Sequence, residues 1–314
     1  MQDLSGLKVG FFGTPEFSLK FLETLYKNNA EIVFIVSQPA SISGRGKKLN
    51  HSPVEKWGLQ KNIKTLTPKK LNDLEFRKKI KEKNVDFNIV VAYGNLIDDY
   101  IINLPKYLTI NVHASLLPKW RGAAPIQRSI LNGDKETGIS IMKVVKKLDA
   151  GPVIEKERIK ISLIDNASSI YNKMILVGNN LLVETLKNIL NKSFNLEIQN
   201  EKEVTYAHKI KKNESRINWN EKAEIINLQI RAFNPYPGAW TLNQDESKRI
   251  KILESEVIKK EKVLKLVNGF VDKDLIVKCG KDYLKIKKLQ PEGKKVLDAT
   301  EFINGNQFEN LYFV

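Results

Sequence analysis

The sequence predicts an α/β protein in two parts. A Rossmann-like, mostly parallel sheet domain is expected at residues 1–190, and a smaller, OB-like β-barrel at 204–314 after a polar linker at 191–203. Three observations predict this. Apolar strand-like runs alternate with amphipathic stretches through the first part. Short β-like runs separated by turns fill the second. The length of 314 residues exceeds the size at which a single core is usual.

Taken in order, residues 8–12 read as a buried first strand, and 16–27 place Phe17, Phe21 and Leu25 on one helical side. Between them Gly13-Thr14-Pro15-Glu16 offers a tight turn, an N-cap, a first-turn proline and an acid at the positive end of the helix dipole. Strands are expected at 31–37, 87–92 and 108–113, with helices at 53–61 and 72–83. A helix at 125–132 precedes β segments at 138–145 and 153–161, joined by a turn that holds Asp149, and a long amphipathic helix covers 167–190. The second part is expected to hold a helix at 225–233 and short strands at 240–242, 250–257, 263–267, 275–279 and 283–289. The closing Glu309-Asn-Leu-Tyr-Phe313 resembles the start of a protease-tag sequence and is set outside the fold.

Composition narrows the function classes. With 42% hydrophobic and 28% charged residues, and no apolar run of membrane-spanning length, the chain reads as soluble. The opening Met-Gln-Asp-Leu-Ser-Gly has neither a basic leader nor a cleavable apolar segment, so a cytoplasmic protein is expected. Cys279 is the only cysteine, which excludes an intrachain disulfide, and with three scattered histidines a structural zinc site is not expected. The net charge of +16, spread over both parts, suits nucleic acid, an anionic surface or an acidic small molecule.

The chemistry is concentrated in Thr109-Ile-Asn-Val-His-Ala-Ser-Leu-Leu-Pro-Lys-Trp-Arg-Gly122. Asn111 and His113 stand at i and i+2 of a strand, so both side chains leave one face of the sheet. An amide N–H and an imidazole aimed together suit the oxyanion of a tetrahedral intermediate, and the imidazole can move a proton near neutral pH. Acyl-type transfer is the reaction class this pair supports; a strand end with two satisfied polar residues is the structural alternative. Both residues fall at the carboxyl end of a strand, where ligands of parallel α/β sheets bind.

Gly13-Thr-Pro-Glu-Phe17, Val91-Ala-Tyr-Gly94, Asn111-Val-His113, Ser115-Leu-Leu-Pro118, Trp120-Arg-Gly-Ala-Ala-Pro125 and Leu148-Asp-Ala-Gly151 together resemble the folate-dependent formyltransferases. Ser215-Arg-Ile-Asn-Trp219 and 230–240 extend the likeness into the second part, to members of the family that act on tRNA. The resemblance implies transfer of the formyl group of 10-formyltetrahydrofolate, without a metal, to the α-amine of methionyl initiator tRNA for translation initiation. It implies a catalytic trio of Asn111, His113 and Asp149. Asn111 and His113 are assigned to the oxyanion; Asp149 orients or polarises the imidazole, or relays protons through water to the departing folate nitrogen. The co-substrate is expected against Ser115, Leu116, Leu117 and Pro118, with Val91, Ala92 and Tyr93 on the pterin side.

In the basic loop Gln38–Lys48 the resemblance implies that Arg45 enters the tRNA acceptor end while Lys47 and Lys48 contact phosphates. The sequence departs from the family there, reading Ala40-Ser-Ile-Ser43 where Asp-Arg-Pro-Ala is common, and again at Lys147, where glycine is frequent. Lys209, Lys211, Lys212 and Arg216 are candidate tRNA-backbone contacts of the second part. A monomer is expected. A formyltransferase for a nucleotide-sugar or glycinamide ribonucleotide, and an RNA-binding protein on a disused enzyme scaffold, are the competing readings. A nicotinamide dehydrogenase is set aside because Gly10-Phe-Phe-Gly13 is not a GxGxxG turn.

Overall fold

Strand β1, Lys8–Gly13, is buried from Val9 to its end in the computed structural model, as a parallel strand covered on both faces must be. The structure describes residues 3–43, 48–259, 267–305 and 312–314. Helix α1, Glu16–Lys27, follows and buries Phe17, Phe21, Leu22 and Leu25. Its N-cap is Pro15, with no side-chain cap. Thr14, read as the cap from the sequence, instead donates its hydroxyl to the Tyr93 carbonyl at 3.0 Å, and Ser18 Oγ accepts the Thr14 N–H at 3.3 Å. The first turn thus ties two strand ends together.

Strand β2 (Glu31–Val36) is followed by the short antiparallel pair β3 (Ser41–Ser43) and β4 (Lys48–Asn50), then by α2 (Pro53–Gln60), β5 (Thr65–Leu66) and α3 (Leu74–Lys81). Asp73 caps α3 by accepting the Phe76 N–H at 2.8 Å, which starts the helix later than its pattern predicts. Next come β6 (Phe87–Val91), α4 (Asp99–Ile102), β7 (Leu108–His113), the two-residue β8 (Arg121–Gly122), α5 (Pro125–Leu131), β9 (Glu136–Lys143), β10 (Val153–Lys160) and α6 (Ala167–Leu190). In α6, Gly178 gives Phe21 and Ile139 room to pack against the helix.

The chain lays β1, β2 and β5 towards one edge, returns to β6 on the other side of β1, and continues outward in the order β7, β9, β10. All pairings from β5 to β7 are parallel, and β9 joins β7 antiparallel. The direction of chain progression therefore reverses between β1 and β6. Such a point opens a crevice at the carboxyl ends of the strands. Gly13, Val91 and His113 are the last residues of β1, β6 and β7, so Thr14, Ala92 and Ala114 lead into that crevice.

Two compact units make up the chain: Met1–Pro125, Thr137–Lys160 and Tyr171–Ala207 form one, and Ile126–Glu136, Ile161–Ile170 and His208–Val314 the other. Residues 191–203, read as a linker, pack into the first unit. Val153 and Glu197 exchange backbone hydrogen bonds of 2.9 and 2.8 Å, and β11 (Tyr206–Ala207) pairs in parallel with β8. The stretch looked like a linker because it is polar and carries no apolar period.

In the second unit, α7 (Ala223–Phe233) packs on an antiparallel half-barrel of β12 (Ala239–Leu242), β13 (Arg249–Ile258), β14 (Ile276–Lys278), β15 (Tyr283–Pro291) and β16 (Leu297–Asp298), followed by α8 (Ala299–Asn304). Arg128 forms a two-point pair with Glu214 at 2.6 and 3.1 Å, and Arg231 donates to the Asp165 and Ser162 carbonyls at 2.6 and 2.7 Å. These contacts explain why 126–136 and 161–170 group with residues far along the chain. The hydrogen bonds from Arg128 also hold the Glu214 carboxyl below its ordinary range. The strand expected at 263–267 lies outside the described residues apart from Val267, which is not in a strand. Among the described residues no helix is long and apolar enough to cross a membrane.

Phe313 and Val314, set outside the fold on the sequence, belong to it. Phe313 is buried and stacks on Trp219 with ring centroids 5.8 Å apart, while Val314 and Leu242 exchange backbone hydrogen bonds. Truncating this ring, Phe313→Ala, should cost about 3 kcal/mol by the usual measure of buried aromatics and lower the thermal midpoint of the second unit. An unchanged melting curve would contradict this packing. Burial pushes the Cys279 thiol up to about 12. Iodoacetamide at about pH 8 should therefore label it only after denaturant is added. Prompt labelling of the native protein, followed by mass spectrometry, would argue against that burial.

Candidate active site

Strand β7 delivers its polar residues to the crevice as alternation requires. Asn111 is half-buried and His113 is buried. Val90 of β6 pairs with Asn111, and Ser140 of β9 pairs with His113, so neighbouring strands fix both backbones. The turn between β9 and β10 brings in Asp149. Its Oδ1 lies 3.5 Å from Asn111 Nδ2, and its Oδ2 lies 3.7 Å from His113 Nδ1.

Two contacts set the polarity of this cluster. His113 Nε2 is 2.9 Å from the Trp120 carbonyl oxygen, which can only accept, so Nε2 bears a proton. Nδ1 is left facing the Asp149 carboxylate as the position where a proton is held or passed. The Gly122 N–H donates to Asp149 Oδ2 at 2.8 Å. Trp120 and Gly122 therefore serve the site through their backbones, a contribution that side-chain motifs do not reveal.

The backbone around Asp149 is unusual. Asp149 has φ +48, Trp120 +64 and Gly122 +123, all in the left-handed half of conformational space. At Gly122 a Cβ would stand 2.8 Å from the Ala207 carbonyl oxygen, and at Gly151 one would stand 1.8 Å from that of Lys143. Space requires glycine at both places, and at Gly122 the torsion requires it as well. Each left-handed non-glycine residue costs about 1–2 kcal/mol, which surrounding contacts must offset.

The expected co-substrate residues fall into two groups. Ser115 is buried, donates Oγ to the Lys119 carbonyl at 2.6 Å, and accepts the Ser140 hydroxyl on its own carbonyl at 2.7 Å. Ser140 in turn accepts the Leu117 N–H at 3.0 Å, and Leu117 packs with Met142 and Val153. Ser115 and Leu117 thus hold the loop. Val91 and Tyr93 are buried likewise, with their carbonyls accepting the Ser18 and Thr14 hydroxyls. Burial pushes the Tyr93 phenol above its ordinary range.

Half-buried Leu116 and Pro118 and exposed Ala92 are what these segments leave open. Apolar side chains beside backbone polar groups fit a flat heterocycle such as a pterin. Of the basic-loop residues, Arg45, Lys47 and the Lys48 side chain lie outside the described residues. In the second unit Lys209, Lys211, Lys212 and Arg216 are exposed, and the Arg216 guanidinium lies over the Trp240 ring. Among the described residues no cluster of His, Cys, Asp and Glu is arranged to hold a metal ion.

An amide and an imidazole beside a carboxylate at the carboxyl ends of parallel strands have the chemistry for proton-assisted group transfer, and comparison with known proteins gives the family. Residues 7–186 match the formyl transferase family model and residues 209–307 the model of the formyl transferase C-terminal domain. The chain belongs to the formyltransferase family. It is 42% identical over 302 residues to the methionyl-tRNA formyltransferase of Pelagibacter ubique, covering 96% of each chain. It is 39% identical to the enzyme of the same name from Thermodesulfovibrio yellowstonii, with 95% of each covered.

The fold is shared more widely. HypX from Aquifex aeolicus in complex with tetrahydrofolic acid superimposes with a TM-score of 0.64 at 15% identity, over 95% of this chain and 47% of that one. WlaRD, a sugar 3N-formyl transferase, does so with a TM-score of 0.62 at 20% identity, over 92% and 99%.

Adding a methyl group at residue 122 tests the backbone contribution. Gly122→Ala should displace the N–H that holds Asp149 and reduce the formyl-transfer kcat by about 100-fold, the scale expected for a misplacement of roughly 1 Å. Far-UV circular dichroism should stay unchanged. Wild-type kcat would show that this contact is dispensable.

Proposed function

We infer that this chain transfers the formyl group of 10-formyltetrahydrofolate to the α-amino group of methionyl initiator tRNA, in the cytoplasm and as a monomer. The observation that carries this reading is the meeting of Asn111, His113 and Asp149 at the carboxyl ends of the parallel strands, in a chain matched to both formyl transferase domains. The names of the relatives supply the acceptor.

When bound, the folate supplies the formyl carbon. Transfer joins the amine nitrogen to that carbon, breaks the bond from the carbon to N10, and moves one proton from the amine to N10. An α-amine with a pKa of about 7.7–8.0 is unprotonated often enough near neutral pH to begin the addition. Asn111 Nδ2 donates to the oxygen that gains charge as the amine adds, and His113 Nδ1 lies beside it to hold or pass the proton. Asp149 orients the imidazole, and its carboxylate is a counter-charge to any proton held on Nδ1. Leu116, Pro118 and Ala92 take the heterocycle, on a loop whose shape Ser115 and Leu117 maintain. Arg45, Lys47 and Lys48 meet the acceptor end of the tRNA, and the exposed cations of the second unit meet its backbone.

Purified protein should formylate charged initiator tRNA and leave free methionine and amino-sugar nucleotides unmodified. Activity on the sugar nucleotide alone would overturn the assignment. Asn111→Ala or His113→Ala should lower kcat by about 100- to 1,000-fold, with tRNA affinity preserved in filter binding. For Arg45→Ala the loss should appear in the productive tRNA complex and vary with salt. A variant whose kinetics match wild type across a salt series would remove Arg45 from the interface.

A further inference from the structure

Gln199 lies in the polar stretch that reads as a linker, outside every motif identified above. It is nevertheless buried, at 7% exposure, and all four of its hydrogen bonds converge on the catalytic turn and its support. Nε2 donates to the carbonyls of Asp149 and Gly151 at 2.9 and 2.7 Å. Oε1 accepts from Nε and Nη2 of Arg121 at 3.0 and 2.9 Å. A guanidinium only donates and a carbonyl only accepts, so the amide has one orientation that satisfies every partner.

Arg121 is fully buried. Its Nη2 also donates to Glu201 Oε1 at 2.9 Å, and Glu201 Oε2 accepts from Lys147 at 2.8 Å. Those hydrogen bonds, from Lys147 first and then Arg121, hold the Glu201 carboxyl below its ordinary range. The dipeptide Arg121-Gly122 therefore grips Asp149 at two points. The Gly122 N–H holds its carboxylate, and the Arg121 side chain, through Gln199, holds its main chain. The main-chain grip bears on where the Asp149 side chain starts, and the Gly122 N–H on where it ends.

We propose that Gln199 is a positioning residue for formyl transfer, setting the reach of Asp149 to His113 and Asn111, and that buried Arg121 fixes the Gln199 amide in the orientation this needs. The proposal rests on the reading of Asp149 as a member of the catalytic cluster. Gln199 touches no reacting atom, and its whole effect on turnover passes through Asp149.

The test is a double-mutant cycle on the full chain, assayed with 10-formyltetrahydrofolate and charged initiator tRNA. Gln199→Met keeps the length and volume of the side chain and removes its donors and acceptor. It should lower kcat by about tenfold or more while KM for both substrates stays within about threefold; in an Asp149→Asn background the same change should cost less than about twofold. An equal proportional loss in both backgrounds would mean a general structural role and overturn the proposal. Gln199→Glu guards against misfolding, because it keeps an acceptor for Arg121 but offers the Asp149 and Gly151 carbonyls no donor. It should show the same loss of kcat, and full activity in it would overturn the proposal. Asp149→Asn with wild-type turnover would overturn the catalytic reading of Asp149 and this proposal together. A crippled Asp149→Asn beside an unaffected Gln199→Met would overturn this proposal alone.

Discussion

The hydrogen bond from the Gly122 N–H to Asp149 Oδ2 is the contact around which the site is organised. For it to form, the chain must take left-handed conformations at Trp120 and Gly122, lie against Ala207 with no side chain at position 122, and still leave the Trp120 carbonyl on His113 Nε2. The turn at 147–151 must come back over the sheet with its own left-handed residue and its own glycine. Neither segment is favourable alone. Each supplies the hydrogen-bonding partner that makes the conformation of the other tolerable, as strained backbone at functional sites generally requires.

The sheet makes this arrangement possible by its order. Because the chain turns back at β1 and β6, three successive parallel strands end side by side, and their following residues are free of crossing connections. Thr14 and Ser18 use that freedom to anchor the carbonyls of Tyr93 and Val91, and Ser140 anchors the loop at 115–117. Small hydroxyl side chains thus hold each loop, and Ala92, Leu116 and Pro118 between them stay open.

Much of this was legible in the sequence, and the parts that were not share a physical reason. The boundaries of α1 and α6 follow from apolar spacing alone, since burial of one face is what makes those helices form. Asn111 and His113 were legible because strand alternation places them together. The proximity of Asp149 was not derivable from its spacing and came from family likeness. Thr14 was misread because a threonine before a helix caps it far more often than it spans to a neighbouring strand. Gln199 gave no signal at all: one amide in a polar stretch has no period, and its partners lie 78 and 50 residues away for Arg121 and Asp149. Residues that act by holding backbone carbonyls leave little trace in composition.

The second unit is discontinuous in sequence, and that bears on modularity. Arg128, whose fork closes on Glu214, and the Asp165 and Ser162 carbonyls that receive Arg231 are all encoded before residue 171, inside the stretch that also builds the first unit. A recombination event that joined a foreign segment at position 208 would carry Glu214 and Arg231 without their partners. One would arrive as a half-buried carboxylate without its arginine and the other as a half-buried guanidinium without its acceptor carbonyls. Exchange of this half between relatives is therefore possible only where the donor and recipient already agree on those earlier residues, so the two halves are bound to change together.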